Sequence, residues 1–104
     1  AVVVQPSLSV KLTADLSLKN SLPSASASRR FTDAGGMLSY AADIQHIYRD
    51  SAVYLDKILK GARPGDLPVQ GPVKIEMIVN LKTARALNLT VPQSILIRAD
   101  EVIE

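Results

Sequence analysis

The chain has no cysteine and no tryptophan, one phenylalanine and one histidine in 104 residues. Without cysteine there is no disulfide framework and no thiolate nucleophile or metal ligand. A single histidine, His46, leaves no His-rich metal motif, and its helical neighbours Asp50, Val53 and Lys57 read as a solvated face rather than a catalytic cleft. No run of eighteen apolar residues is present, so no segment reads as a membrane-spanning helix. Glycine-rich phosphate loops of the G-x-G-x-x-G or G-x-x-x-x-G-K-[ST] type are missing. Gly35-Gly36 therefore reads as a tight turn. The net charge is +2 and the pI about 9.1, but the basic residues are scattered and only four residues are aromatic, which speaks against a nucleic-acid surface.

What is present is 47% apolar residues, enough for a packed core and too many for a disordered chain. Ala1–Gln5 is a continuous apolar run stopped by Pro6, the pattern of a buried parallel strand. Residues 8–19 carry two patterns at once. Leu8, Val10, Leu12, Ala14, Leu16 and Leu18 alternate with polar residues as in a strand, while Leu8, Leu12 and Leu16 share one helical face. Residues 29–36 read as a loop and Met37–Tyr40 as a short strand. Asp43–Lys60 is a helix with an apolar stripe at Ile44, Ile47, Tyr48, Ser51, Ala52, Leu55, Ile58 and Leu59. Asp43 suits its N-cap, Asp56 and Lys60 pair at i,i+4, and Gly61 and Pro64 stop it. A proline-rich connector spans 63–72, an alternating strand spans 73–79, Asn80 caps a helix ending near Asn88, 92–99 forms a short helix, and 100–103 closes the chain. Asp100, Glu101 and Glu104 read as solvated carboxylates rather than a metal site. Strands alternating with helices predict an α/β fold with a largely parallel sheet flanked by helices.

Four short motifs occur in order: Ile58-Leu59-Lys60-Gly61, Asp66-Leu67-Pro68-Val69, Asn80-Leu81-Lys82-Thr83-Ala84 and Ala99-Asp100-Glu101-Val102-Ile103-Glu104. In this order and spacing the chain resembles the C-terminal end of ABC transporter substrate-binding proteins of the amino-acid-binding branch. The resemblance implies part of a two-lobed periplasmic-binding-protein type I fold, with residues 1–104 as one α/β domain from the C-terminal part of a larger protein. The opening at Ala1-Val2-Val3-Val4 without methionine agrees with such a fragment. It also implies a helix over 8–19 and a strand near Ser24–Ser28, where small residues promise a short or frayed element. Phe31, Ala34-Gly35-Gly36 and Ser39-Tyr40 match the family's F-x-x-AGG-x-x-SYG unit, with Ala41 in place of its last glycine.

The function implied is capture of a small solute, an amino acid or similar, and its delivery to an ABC permease, without catalysis, cofactor or metal. The expected location is periplasmic or lipid-anchored outside the cytoplasm. A fragment with one wall of a cleft is expected to self-associate as a dimer. The other readings are a ligand-sensing α/β domain of a receptor or regulator and an enzyme or nucleotide-binding module on a doubly wound sheet. The latter would show a phosphate loop or a base–nucleophile pair. Open α/β sheets bind ligands at the C-terminal edge of their strands. Gln5 and Ser7 follow the first strand, and there Ser7 either holds a ligand carboxylate or caps the next helix. Arg30 stands where the family often has an acidic residue; it either grips a carboxylate or faces water. Tyr40, at the end of its strand, either stacks on a ligand or packs in the sheet.

Overall fold

The computed structural model describes residues 1–72 and 74–104; Val73, expected to open the alternating strand, lies outside the described residues. The chain forms two compact units, Ala1–Ala41 with Glu76–Glu104, and Ala42–Ile75. Among the described residues there are five strands, β1 (Val2–Val4), β2 (Ser24–Ser26), β3 (Leu38–Ala42), β4 (Ile75–Asn80) and β5 (Glu101–Ile103), and they lie side by side in sequence order. β1 and β2, β2 and β3, and β4 and β5 pair in parallel. The Asn80 amide donates to the Met37 carbonyl at 2.8 Å, and the Asp43 amide to Lys74 at 2.9 Å. Numbers that rise along β3 thus meet numbers that fall along β4, the pattern of antiparallel neighbours. The largely parallel α/β sheet expected from the sequence is borne out, with this one reversal.

In the first unit, α1 (Val10–Lys19) follows β1 and α2 (Arg29–Asp33) follows β2. The double pattern in residues 8–19 resolves as helix. Its buried side is Ala14 and Ser17, beside half-buried Val10, whereas Leu8, Leu12 and Leu16 are exposed. Small residues let α1 approach closely, and Val4, Ala14 and Phe31 form one core cluster with Val2, Val10 and Ala34 against it. Ile78 and Val79 of β4 are also buried. The expectation of a fully buried first strand is corrected, because β1 lies at the sheet edge and Val3 is 88% exposed.

β2 is short, as expected, yet it is an inner strand with buried Ser24 and Ser26. The Ser26 hydroxyl donates to the Val4 carbonyl at 2.8 Å, which satisfies the polar group a small side chain brings inside. The expected loop over 29–36 is corrected in its first half: Phe31, with no exposure, draws Arg29–Asp33 into a helical turn. Gly35 and Gly36 then make the tight turn, with the Gly36 amide donating to the Phe31 carbonyl at 2.8 Å.

Asn80 ends β4 and caps α4 (Leu81–Ala86), its Oδ1 accepting from the Thr83 amide at 3.1 Å. Its Nδ2 donates to the Thr32 carbonyl at 3.1 Å, so one buried amide ties α2, β4 and α4. Asn88, near which the helix is expected to end, takes φ +54°, a left-handed turn that asparagine tolerates. α5 (Gln93–Leu96) leads into β5.

Among its described residues the second unit holds one long helix and a loop that contains a 3-10 turn at Pro64–Asp66. α3 (Ile44–Leu59) has the predicted caps: Asp43 Oδ1 accepts from the amides of Gln45 and His46 at 2.9 and 3.1 Å, and Gly61 takes φ +104°. The apolar stripe predicts a face buried at Leu55 and Ile58, and the structure corrects that expectation. No α3 residue is buried, and Leu55 is 56% exposed. The loop 63–72 folds back on the helix, where the Tyr54 hydroxyl donates to the Pro68 carbonyl at 2.7 Å.

Candidate functional site

The C-terminal edge of the parallel strands β1, β2 and β3 gathers the residues singled out from the sequence. In register, Val4 of β1 stands opposite Ser26 of β2, and Ser26 opposite Ser39 of β3. Gln5 and Tyr40 each come one residue later, so they occupy one level of the sheet, two strand spacings or roughly 10 Å apart. Tyr40 is 55% exposed rather than packed in the sheet. Ser7 lies in the exposed turn between β1 and α1, closed by the Leu8 amide donating to the Gln5 carbonyl at 3.1 Å. The reading of Ser7 as helix cap is corrected: the N-cap is Ser9, and it makes no side-chain capping bond. Arg30 lies in the first turn of α2, directly after β2, with an exposed side chain. Among the described residues no ion pair involves Arg30 (its neighbour Arg29 has three). Strand order and register thus bring all four residues to one edge, each exposed.

Arg29 and its carboxylate partners were not legible as a group. Arg29 Nη2 lies 2.7 Å from Glu101 Oε2, its Nη1 3.2 Å from Glu76 Oε1, and its Nε 3.7 Å from Asp33 Oδ2. The hydrogen bond that Arg29 donates to Glu101 is the largest influence and raises the Arg29 pKa; burial opposes it, and the charges of Glu101, Asp33 and Glu76 add to the rise. Asp100 is engaged too: its carboxylate accepts from the Met77 amide at 2.8 Å, and its own amide donates to the Met77 carbonyl at 2.8 Å. The reading of Asp100 and Glu101 as idle chain-end carboxylates is therefore corrected. The sequence signal available was weak: an acidic residue at or near the start of each of two strands.

The second unit holds an open groove of about 560 Å³ between α3 and the loop, lined by Ile47, Tyr54, Leu55, Ile58, Leu67 and Val69 among others. None of Gln5, Ser7, Arg30 or Tyr40 contributes to it. His46 does not line the groove, though its Nε2 lies 3.6 Å from Oδ2 of Asp50, which does.

The family whose description is ABC transporter substrate binding protein matches residues 11–103. With nearly the whole chain covered, the chain belongs to this family. Among solved structures, a conserved domain protein from Vibrio cholerae is 26% identical with a TM-score of 0.82, over 89% of this chain and 31% of that one. An ABC domain in complex with L-Trp from Streptococcus pneumoniae is 27% identical with a TM-score of 0.77, over 86% and 31% of the respective chains. A ligand-free, open substrate-binding protein with adhesive properties from Clostridium difficile has the same fold at 19% identity and a TM-score of 0.66, over 90% and 31%. The chain therefore spans about a third of the length of each of these neighbours. No curated protein sequence matches it.

Proposed function

We propose that this chain supplies one wall of a solute site in a two-lobed extracytoplasmic binding protein that serves an ABC importer. On this reading residues 1–104 are a C-terminal portion of the whole protein. The solute is a small molecule with a carboxylate, most simply an amino acid, and the neighbour holding L-Trp supports that class. The observation that carries the reading is the shared edge after β1, β2 and β3, with Ser7 and Gln5 as polar contacts, Arg30 for the carboxylate and Tyr40 as an exposed ring. An arginine fork matches a carboxylate in two parallel bonds, and Arg30 has no competing partner among the described residues. The role is binding and delivery to a permease, with no covalent chemistry.

A thermal-shift screen of the full-length protein against amino acids and small organic acids tests this. At least one carboxylate-bearing solute should raise the melting temperature, through mass action on the native state. A panel that leaves it unmoved, L-tryptophan included, would count against an amino-acid carrier. The isolated chain, with one wall only, should bind weakly and should self-associate in sedimentation, since good pockets bury about 70–90% of a ligand.

A further inference from the structure

Two adjacent arginines open α2, and they differ in what they meet. Arg29 spreads one guanidinium over three carboxylates, with a different nitrogen facing each of Asp33, Glu76 and Glu101. All these residues belong to the first unit. Arg30 is exposed, and among the described residues no ion pair involves it. Asp33 stands four residues after Arg29 and three after Arg30 on the same short helix. Both spacings make neighbours on a helix surface. By spacing alone either arginine can take Asp33, and in the structure Arg29 holds it. Glu76 and Glu101 stand near the starts of β4 and β5, within reach of the same guanidinium. Three negative charges thus gather one residue away from Arg30. Left uncovered, they would draw the Arg30 guanidinium to themselves and repel an incoming carboxylate.

We propose that Arg29 is a positioning residue for solute capture: by holding Asp33, Glu76 and Glu101 it keeps Arg30 unpaired and available to a solute carboxylate. This rests on the solute-binding reading above, but the competition between the two arginines stands without a ligand. The planar guanidinium presents donors in three directions at once, which a lysine ammonium on a flexible stem does not reproduce. Arg29 is half-exposed, so its pairs add little to stability, and losing them redistributes partners rather than unfolding the chain.

Arginine side-chain NMR of the full-length protein reads the competition without a solute. In Arg29→Gln the Arg30 Nε–H signal should shift, and its exchange with water should slow by about two- to fivefold, as Asp33 passes to it. Adding Asp33→Asn to Arg29→Gln should return the signal toward wild type. Calorimetry with L-tryptophan and L-tryptophanamide as probes reads the consequence. Arg29→Gln should weaken the acid about three- to sixfold, because Arg30 is free for only part of the time, and the amide by less than about twofold. Asp33→Asn should restore the acid in that background. A merely structural loss would weaken both compounds alike and would not be rescued, and either result overturns the proposal. An Arg30 signal unchanged by Arg29→Gln overturns it as well. Arg29→Lys, which keeps the charge but not the three-way geometry, should fall between the wild type and Arg29→Gln. Should Arg29→Gln fail to fold, an Arg30 signal in Arg29→Lys equal to wild type overturns the proposal, and a shifted one supports it. A wild type that takes neither compound counts against the amino-acid reading, while the Arg30 signal still supports or overturns the shielding by Arg29.

Discussion

Replacing Gly36 by alanine puts a methyl group where the Phe31 ring already is. An ideal Cβ at Gly36 would lie 2.1 Å from Cε1, 2.2 Å from Cδ1 and 2.8 Å from Cζ of that ring. Carbon atoms in good contact sit about 3.5–4.0 Å apart, so ring or turn must shift by more than an ångström. The ring has no exposed surface and belongs to the cluster with Val4 and Ala14, so it has no free volume to enter. The turn is pinned by the Gly36 amide bond to the Phe31 carbonyl. Overpacking of this kind costs about 1–3 kcal/mol, and swinging a phenylalanine outward forfeits up to about 3 kcal/mol of burial. We expect Gly36→Ala to lose about 2–4 kcal/mol in urea unfolding followed by circular dichroism, against a total stability of roughly 5–15 kcal/mol. The loss should shrink by at least about 1 kcal/mol in a Phe31→Leu background, because the clash is with the ring edge. Gly35→Ala is the control: a Cβ there meets nothing, but φ is +109°, so its cost of about 1–2 kcal/mol should be the same in both backgrounds. A Gly36→Ala variant within about 0.5 kcal/mol of wild type, or one indifferent to Phe31→Leu, would refute the packing described for α2.

Asn80→Ala should cost about 2–4 kcal/mol, since it removes the α4 cap and strands the Thr32 carbonyl inside; chemical denaturation reads it directly. Leu55→Ala should cost under about 1 kcal/mol in this chain, because the side chain is 56% exposed, and a melting shift typical of a core truncation would contradict the exposed face of α3. The Asp43 carboxyl is held below its ordinary pKa, chiefly by the His46 amide and further by Lys74. A lowered folded pKa means stability that is present above the ordinary aspartate range and is lost as pH falls through the folded value. Acid should therefore fray the start of α3, and an Asp43→Asn variant, which keeps the cap but not the titration, should show less of that acid sensitivity in helix-specific NMR shifts. Arg30→Gln should weaken binding of a carboxylate solute about tenfold or more while leaving its amide analogue unaffected, and calorimetry with both compounds separates the two.

Local chemistry made much of the fold readable. Asp43 and Asn80 cap helices through their side chains, Gly61 and Asn88 take positive φ at helix ends, and all four positions follow from the sequence. α2 escaped notice because five residues are too short for a hydrophobic period, and two arginines in its first turn oppose the helix dipole. Its one strong determinant, Phe31, acts through a core that local sequence does not display. The buried side of α1 was missed for a related reason: leucines outrank alanine and serine in any hydropathy pattern, while close approach favours the small residues. On α3 the stripe and the caps were legible. Periodicity shows that a helix has an apolar face, but not what covers it. At the edge of the sheet, Gln5, Ser7, Arg30 and Tyr40 followed from the rule that ligands meet strand ends. The ion pairs of Arg29 with Glu76 and Glu101 join residues far apart in the chain and became visible only once β4 and β5 were laid beside β3.

The central claim is that the solute meets the edge formed after β1, β2 and β3. Amide chemical-shift mapping on isotope-labelled full-length protein, titrated with the amino acid that gives the largest thermal shift, tests it most directly. The account predicts saturable shifts concentrated at Gln5, Ser7, Arg30 and Tyr40, with little change along the α3 groove at Ile47, Tyr54 and Leu67. Shifts gathered in that groove, with the four edge residues silent, would contradict it.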